Sequence, residues 1–378
     1  MTIAISTSDR KEFKRCRRAH GWSSPLGRYL KPDLSRPHLS FGTAIHAGLE
    51  YFYNTKNNHD YLTQYSGPRA QEVRQDHDPN SDPQRLVEMK AAFLNSLKGE
   101  TEFWEDLCQL GLAMLENYYT WALKVDNFSV QATEEIFTRR IPWRNDYDMD
   151  LHKVFSNRDG YLYCGDEAVV YKGTIDGLVR SYLDDRYYIL EHKTTAVFGN
   201  LDFLAMDDQC TAYLWGYQNR NPYGVIYNEL LKAEPMPIKR MKKPYQGRNF
   251  STNRRHRVIL KDFMHKLREE GEDLNLYTDY LEYLRINPQP FFKRSLVRRT
   301  PTELDNFERD MFYDVIDILD PRTVKYPTPN RMSCNMCAFY EPCNLMNRGD
   351  DYEFLLDQLF VQRRNFKYSS DGGEDETC

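Results

Sequence analysis

The sequence predicts a mixed α/β protein: a central mixed β-sheet flanked by helices, with a helical insertion before the sheet and a helical region after it. Three observations predict it. From Val130 the chain changes to period two, with Val130, Ala132 and Glu134 alternating against Gln131, Thr133 and Glu135. Two further runs rich in Tyr, Ile, Leu and Val, Lys172–Tyr182 and Arg186–Thr195, flank Asp184-Asp185 and read as a hairpin. On both sides of this block apolar residues recur at helical spacing, over Leu86–Lys124 before it and over Phe263–Leu284 and Thr302–Leu319 after it.

Taken in order, residues 1–40 form an N-terminal segment in which Ser8-Asp9 is the expected helix cap, followed by Phe13, Cys16 and a cluster of Lys and Arg. Residues 41–128 are helical: over Gly42–Tyr53, Ile45, Leu49 and Phe52 make an apolar face, with His46 and Glu50 one turn apart beside it. Gly67–Gln84, rich in Asp, Pro and Gln, reads as an exposed loop. Residues 129–262 hold the sheet and a helix over Asp202–Gln218, with turn-rich Asn145–Gly160, a strand at Val225–Leu231 and a basic segment at 235–261. Residues 263–350 return to helix and end in three cysteines, and 351–378 carry a last helix and the acidic tail Asp371–Glu376.

At 378 residues the chain can bury a substantial core, and 40% hydrophobic with 28% charged residues describes a globular protein. No apolar run reaches the roughly 20 residues that span a bilayer, and the polar start Met1-Thr-Ile-Ala-Ile-Ser6 lacks the form of a secretory signal, so an intracellular protein without membrane contact is expected. A formal net charge of −5 gives no global attraction to a polyanion. A local basic surface exists, however. No acidic residue lies between Glu234 and Asp262, while Lys239, Arg240, Lys242, Lys243, Arg248, Arg254, Arg255, Arg257 and Lys261 are basic and Tyr245 and Phe250 interleave with them, the composition of a segment that meets phosphates and stacks bases. A solvated loop is the competing reading.

The chemistry concentrates in the hairpin. With the turn at Asp184-Asp185, Asp176 faces Lys193 and Leu178 faces Glu191, so Asp176, Glu191 and Lys193 share one face, and Ile175, Val179, Leu183 and Leu190 fall on the other. Two carboxylates and an ammonium at a strand end can hold a hard divalent cation and activate water for phosphodiester cleavage. Alternating charge on a solvated hairpin is the bland alternative, but these charges interrupt a run of Tyr, Ile and Leu, where unpaired burial costs several kcal/mol. Gln209 and Tyr213, four apart on one helix face, can hold a phosphate or a base beside such a site, or form an ordinary polar face. His46 can ligate a metal through neutral imidazole or serve structurally.

Cys334, Cys337 and Cys343 lie close together and Cys16 far upstream; four thiolates complete a site for tetrahedral zinc or a cubane iron–sulfur cluster, which spacing does not separate. Cys108, Cys164 and Cys210 read as small core residues, and Cys378 as incidental.

With Gly42-Thr-Ala-Ile-His46, Gly173-Thr-Ile-Asp176, Glu191-His-Lys193, Gln209-Cys-Thr-Ala-Tyr213 and the cysteine set in this order, the chain resembles the PD-(D/E)xK nuclease superfamily, and within it the iron–sulfur branch that includes RecB-type and AddB-type nuclease domains and CRISPR-associated exonucleases. Ile175 stands where the family motif has proline. The resemblance implies a restriction-endonuclease-like core, magnesium or manganese at His46, Asp176 and Glu191, Lys193 orienting or activating water, and Gln209 and Tyr213 arranging the scissile strand. It further implies a 4Fe-4S cluster on Cys16, Cys334, Cys337 and Cys343, joining the N- and C-terminal segments. Glu134 or Glu135 falls where the family often has an acidic residue, and the sequence does not choose between them.

The function so implied is metal-dependent, ATP-independent exonuclease action on single-stranded DNA or DNA ends, since no Gly-x-x-x-x-Gly-Lys-Ser/Thr phosphate loop is present. A helicase or a recombination or repair protein is the implied partner, and the cytoplasm of a bacterial or phage-infected cell the implied location. The alternative is a catalytically silent nucleic-acid-binding or scaffolding protein of the same fold.

Overall fold

The computed structural model describes residues 2–33, 37–54, 83–97, 105–147, 154–199, 201–233, 238–286 and 291–363. The expected loop at 67–84, up to residue 82, the acidic tail and Cys378 lie outside the described residues. The chain divides into two compact units, one of Met1–Ser35, Arg140–Val170 and Asp310–Cys378, the other of Arg36–Arg139 and Tyr171–Arg309.

From the N-terminus, β1 (Thr2–Ile5) leads into α1 (Thr7–Arg15), α2 (Arg17–Ser23) and β2 (Leu30–Pro32). The cap of α1 is Ser6 rather than Ser8: its hydroxyl accepts from the Asp9 amide while the Asp9 carboxylate accepts from the Ser6 amide, satisfying two donors that the first turn leaves over. Helices α3 (Pro37–Tyr53), α4 (Pro83–Ser96) and α5 (Glu105–Val125) form the insertion. Strands β3 (Phe128–Arg140), β4 (Phe155–Arg158), β5 (Tyr161–Cys164), β6 (Glu167–Ser181) and β7 (Tyr187–Thr195) follow. The turn-rich Asn145–Gly160 therefore contains a strand, one too short and too rich in Asn and Arg to show a periodic pattern.

Next come α6 (Leu201–Ala205) and α7 (Asp208–Gly216), two helices where one was expected, because Asp207 leaves helical geometry to accept from the Cys210 amide as the cap of α7. Then come β8 (Val225–Leu231), β9 (Arg240–Tyr245), β10 (Arg248–Phe250), α8 (Leu260–Glu269), a 3-10 turn (Leu274–Tyr277) and α9 (Thr278–Ile286). The chain continues with β11 (Phe292–Val297), α10 (Pro301–Leu319), α11 (Arg331–Asn335), α12 (Tyr340–Arg348), α13 (Tyr352–Leu359) and β12 (Phe360–Gln362). Among the described residues no helix is long and apolar enough to cross a membrane.

The second unit is a mixed sheet in the order β11-β8-β7-β6, with β3 also paired to β6. β11 and β8 are antiparallel, β8 and β7 parallel, β7 and β6 antiparallel. One face is covered by α3, α4 and α5: Ile45, Leu49, Phe93, Leu115 and Tyr118 pack with Val179, Leu190 and Leu230 of the strands in one apolar cluster. On α7, Trp215 meets Tyr171 at 5.8 Å and Phe307 at 5.7 Å. The glycine of the Gly173-Thr-Ile-Asp176 motif is set by this packing, since a β-carbon at Gly173 would lie 2.5 Å from the Phe137 ring.

The hairpin register differs from expectation. Gly177 faces Leu190 and Val179 faces Tyr188, which puts the turn at Ser181–Arg186 and moves the pairing by two residues. Asp185 adopts φ +60 there and Leu183 sits exposed on the turn, not on the buried face. A two-residue displacement preserves the side-chain alternation, so Asp176, Glu191 and Lys193 keep their common face.

In the first unit β2 pairs antiparallel with β12, and Trp22, Phe339 and Phe360 centre a small core, the last two rings stacked at 4.6 Å.

Candidate functional site

At the end of the β6–β7 ladder the last main-chain pair is Gly177 with Leu190. One residue further the Asp176 side chain intervenes, its Oδ2 accepting from the His192 amide at 2.7 Å. Lys193 is exposed, and Glu191 is 2% exposed on the same strand. Helix α3 brings His46 to the carboxylate, with Nδ1 3.5 Å from Asp176 Oδ1.

The third member comes from β3. Glu134 has φ +47, a left-handed conformation rare for a side-chain-bearing residue inside a strand. Ligand atoms of His46, Glu134 and Asp176 all lie within 4.8 Å of one another. This resolves the choice between the two glutamates: Glu135 accepts instead from Tyr217 Oη at 2.7 Å and Asn219 Nδ2 at 3.3 Å. Alternation cannot reveal this, because the distorted residue is the one that matters, and no sequence signal marks a positive φ at glutamate.

Charge is crowded here. Burial, then the Asp176 and Glu50 carboxylates, push Glu134 up to about 7. Burial opposes charge on Asp176, yet His46 and the His192 amide hold its carboxyl below the ordinary range. His46 is raised in return, burial being outweighed by Asp176. Glu191 lies well above its usual value through burial and the nearby Asp176, with Lys193 pulling the other way.

Gln209, on α7, donates from Nε2 to Glu191 Oε1 and to Tyr213 Oη, both at 2.8 Å. The expected neighbours at i and i+4 therefore meet, but they are joined to the buried carboxylate instead of forming a solvated face. Arg299 fastens this helix, donating to Thr211 Oγ1 at 2.7 Å and to the Leu204 carbonyl at 2.8 Å. Glu191 Oε2 remains buried without a hydrogen-bond partner. Hard oxygen donors, one imidazole and an unsatisfied buried carboxylate oxygen fit a divalent cation of the magnesium or manganese type.

In the first unit Cys16, Cys334, Cys337 and Cys343 are free thiols lining one cavity of about 130 Å³. No three of them come within 4.8 Å of one another. Arg18 Nη1 approaches Cys343 Sγ at 3.4 Å, and the Asn330 amide approaches Cys334 Sγ at 3.4 Å.

Over Arg240–Phe250 the basic segment is a hairpin, while 251–259, which carries Arg254, Arg255 and Arg257, is a stretch without helix or strand. Gln246 (φ +52) and Gly247 (φ +78) make the two-residue turn between β9 and β10, and Phe250, Phe263, Tyr277 and Tyr280 form a core beneath it. Lys239, Arg240, Lys242, Lys243, Arg254 and Arg255 are exposed, whereas Arg257 is half-buried. Arg240 pairs with Glu270 at 3.0 Å, and Arg254 lies over Tyr283. Tyr245 is 61% exposed, but Phe250 belongs to the core and is withdrawn from any base.

No curated protein matches the chain. The chain is similar to the solved crystal structure of SSO0001, at 12% sequence identity over 77% of this chain and 93% of that chain, with a TM-score of 0.29. A family model, that of the PD-(D/E)XK nuclease superfamily, matches residues 4–344. Nearly the whole chain, including every residue of the carboxylate site, falls inside that match, and the protein belongs to the PD-(D/E)XK nuclease superfamily.

Proposed function

We propose that this protein is a divalent-metal-dependent deoxyribonuclease that works without ATP, as an exonuclease on single-stranded DNA or DNA ends. The observation that carries the reading is the trio His46, Glu134 and Asp176 within 4.8 Å, next to a buried Glu191 oxygen that has no partner. A magnesium or manganese ion bound there would supply positive charge to the scissile phosphate and acidify water. His46, Glu134, Asp176 and Glu191 would hold it, with Gln209 fixing Glu191 by the oxygen it already engages. The exposed ammonium of Lys193 orients the attacking water and stabilises negative charge on its oxygen as the proton leaves. The water gives one proton to bulk solvent as its oxygen bonds to phosphorus, the bond to the leaving deoxyribose oxygen breaks, and that oxygen takes up a proton from solvent. Tyr213, kept neutral because burial and Glu191 raise its pKa, accepts from Gln209 and holds its single O–H toward Glu191, beside the scissile strand. The test is digestion of end-labelled single-stranded and duplex DNA with magnesium or manganese, without nucleotide. Progressive loss from one end is expected; products cut internally would reject exonuclease action, and no cleavage with either metal would reject the nuclease.

The four cysteines support a 4Fe-4S cluster. Four cysteines lining one cavity suit a polyatomic group, and N–H groups aimed at two of the sulfurs suit thiolate charge. Protein purified without oxygen should carry about four irons per chain and absorb visible light, and Cys334→Ser should lose both. Stoichiometric zinc would reject the cluster.

The β9–β10 hairpin is the proposed strand-binding surface, with Lys242, Lys243 and Tyr245 exposed along β9. Replacing Lys242 and Lys243 together by glutamine should weaken binding of single strands and make the dependence of log affinity on log salt shallower by about 1.4, two phosphate contacts at about 0.7 each. An unchanged slope would remove the hairpin from the interface. With no phosphate loop in the chain, unwinding of duplex substrate falls to a partner, a helicase or a recombination or repair protein.

A further inference from the structure

On the helix-covered face of the sheet, where Val179, Leu190 and Leu230 make an apolar layer, one row across three strands is polar instead. His192 on β7 is the register partner of Asn228 on β8, and Asn228 is the register partner of Arg294 on β11. Asn228 is completely buried and His192 is 3% exposed. Arg294 Nη1 pairs with Asp126 Oδ1 at 2.6 Å, and its Nη2 donates to Tyr53 Oη and Tyr118 Oη, each at 3.2 Å. Its Nε donates to Asn228 Oδ1 at 3.2 Å.

A guanidinium has no acceptor, so it must meet the amide oxygen of Asn228, and this decides which way the amide faces. Asn228 Nδ2 then donates to His192 Nδ1 at 2.8 Å and to Tyr118 Oη at 2.9 Å. His192 Nδ1 is thereby an acceptor, and the neutral ring carries its proton on Nε2. Tyr53 stacks on the ring with centroids 5.4 Å apart and planes at 19°. The ring cannot turn or slide without breaking this set. Its own main-chain amide is the group that donates to Asp176 Oδ2.

Ionic and amide groups buried in an otherwise apolar layer are poor sources of stability, since packed hydrocarbon of like volume generally does as well or better. A row that ends on a metal-ligating carboxylate has another use. We infer that Arg294, Asn228 and His192 form a buried positioning row that holds Asp176 in ligand geometry through the His192 amide. None of the three touches a reacting atom; they act on the site through Asp176, so the inference rests on the metal-site reading proposed above.

The test measures manganese binding to the full-length protein by electron paramagnetic resonance, beside the thermal transition. Asn228→Leu removes the link, and Asn228→Asp keeps the volume and the acceptor for Arg294 but replaces the donor facing His192 by another acceptor. Folded variants should bind manganese about 10- to 100-fold more weakly, the usual loss when a supporting hydrogen bond behind a ligand is removed. Affinity within twofold of wild type in either folded variant would overturn the row. A second measurement needs no variant: nitrogen-15 spectra of histidine-labelled wild type should show His192 with Nδ1 unprotonated and Nε2 protonated, and the opposite tautomer or an imidazolium would also overturn it. Failure of the metal-site reading is distinct, because wild type and Asp176→Asn would then bind manganese equally.

Discussion

Asp176→Asn is expected to lower metal-dependent DNA cleavage by about a thousandfold, or ~4 kcal/mol of barrier, while the protein stays folded. The asparagine oxygen can still accept from the His192 amide, so the local strand geometry that Asp176 Oδ2 now satisfies at 2.7 Å is kept. What disappears is a charge. His46 loses the carboxylate 3.5 Å away that raises its pKa, and the trio with Glu134 loses its central anionic member. Manganese affinity should therefore fall with the rate. Lys193→Ala separates the two effects: the exposed ammonium is no ligand, so manganese should still bind while cleavage is lost. Cleavage within tenfold of wild type by Asp176→Asn would exclude Asp176 as the ligand, and wild-type cleavage by both variants would exclude the site.

Glu191→Gln should stabilise the metal-free protein at alkaline pH. Burial and the neighbouring Asp176 hold the folded-state pKa of Glu191 well above its ordinary value, and Glu134 is raised to about 7 by burial and the same neighbour. A carboxyl whose folded pKa exceeds its unfolded one binds protons more tightly when folded, so stability falls as pH rises from the unfolded value of about 4.5 toward the folded one. His46, raised above its ordinary value, contributes stability below about 6.5 that is lost as pH rises through its folded pKa, in the same direction. Glutamine has no proton to lose. Glu134→Gln should recover ~1–2 kcal/mol at pH 8, after allowance for the solvent that screens a half-buried group, and Glu191→Gln should recover more because it is fully buried. Neither should differ from wild type at pH 4. Denaturant titrations across that range are the measurement, and equal wild-type stability at pH 4 and pH 8 would contradict the electrostatics. Manganese at 100 times its dissociation constant should restore about 2.7 kcal/mol to wild type, and less to either variant at the same concentration.

Much of the site is legible in the sequence because strand alternation is insensitive to a two-residue displacement of the turn. A register displaced by two residues returns every side chain to the same face, so Asp176, Glu191 and Lys193 remained together although Asp176 faces along the strand toward Glu191 and not Lys193. Helical spacing was equally forgiving: Gln209 and Tyr213 stay neighbours wherever α7 begins. Short strands such as β4 and β5 carried too few residues to show a period.

Residue type and period by themselves determined the mixed sheet, the shared face of its three ionisable residues and the set of four cysteines. The tertiary structure alone decided that Glu134 and not Glu135 joins His46 and Asp176, because a left-handed residue breaks the alternation from which strand faces are inferred. It alone withdrew Phe250 into a core, put Cys16 on the same cavity as three cysteines from the other end of the chain, and aligned Arg294, Asn228 and His192 across three strands. Each of these depends on a relation between distant segments, and local patterns carry no information about which distant segment a side chain will meet.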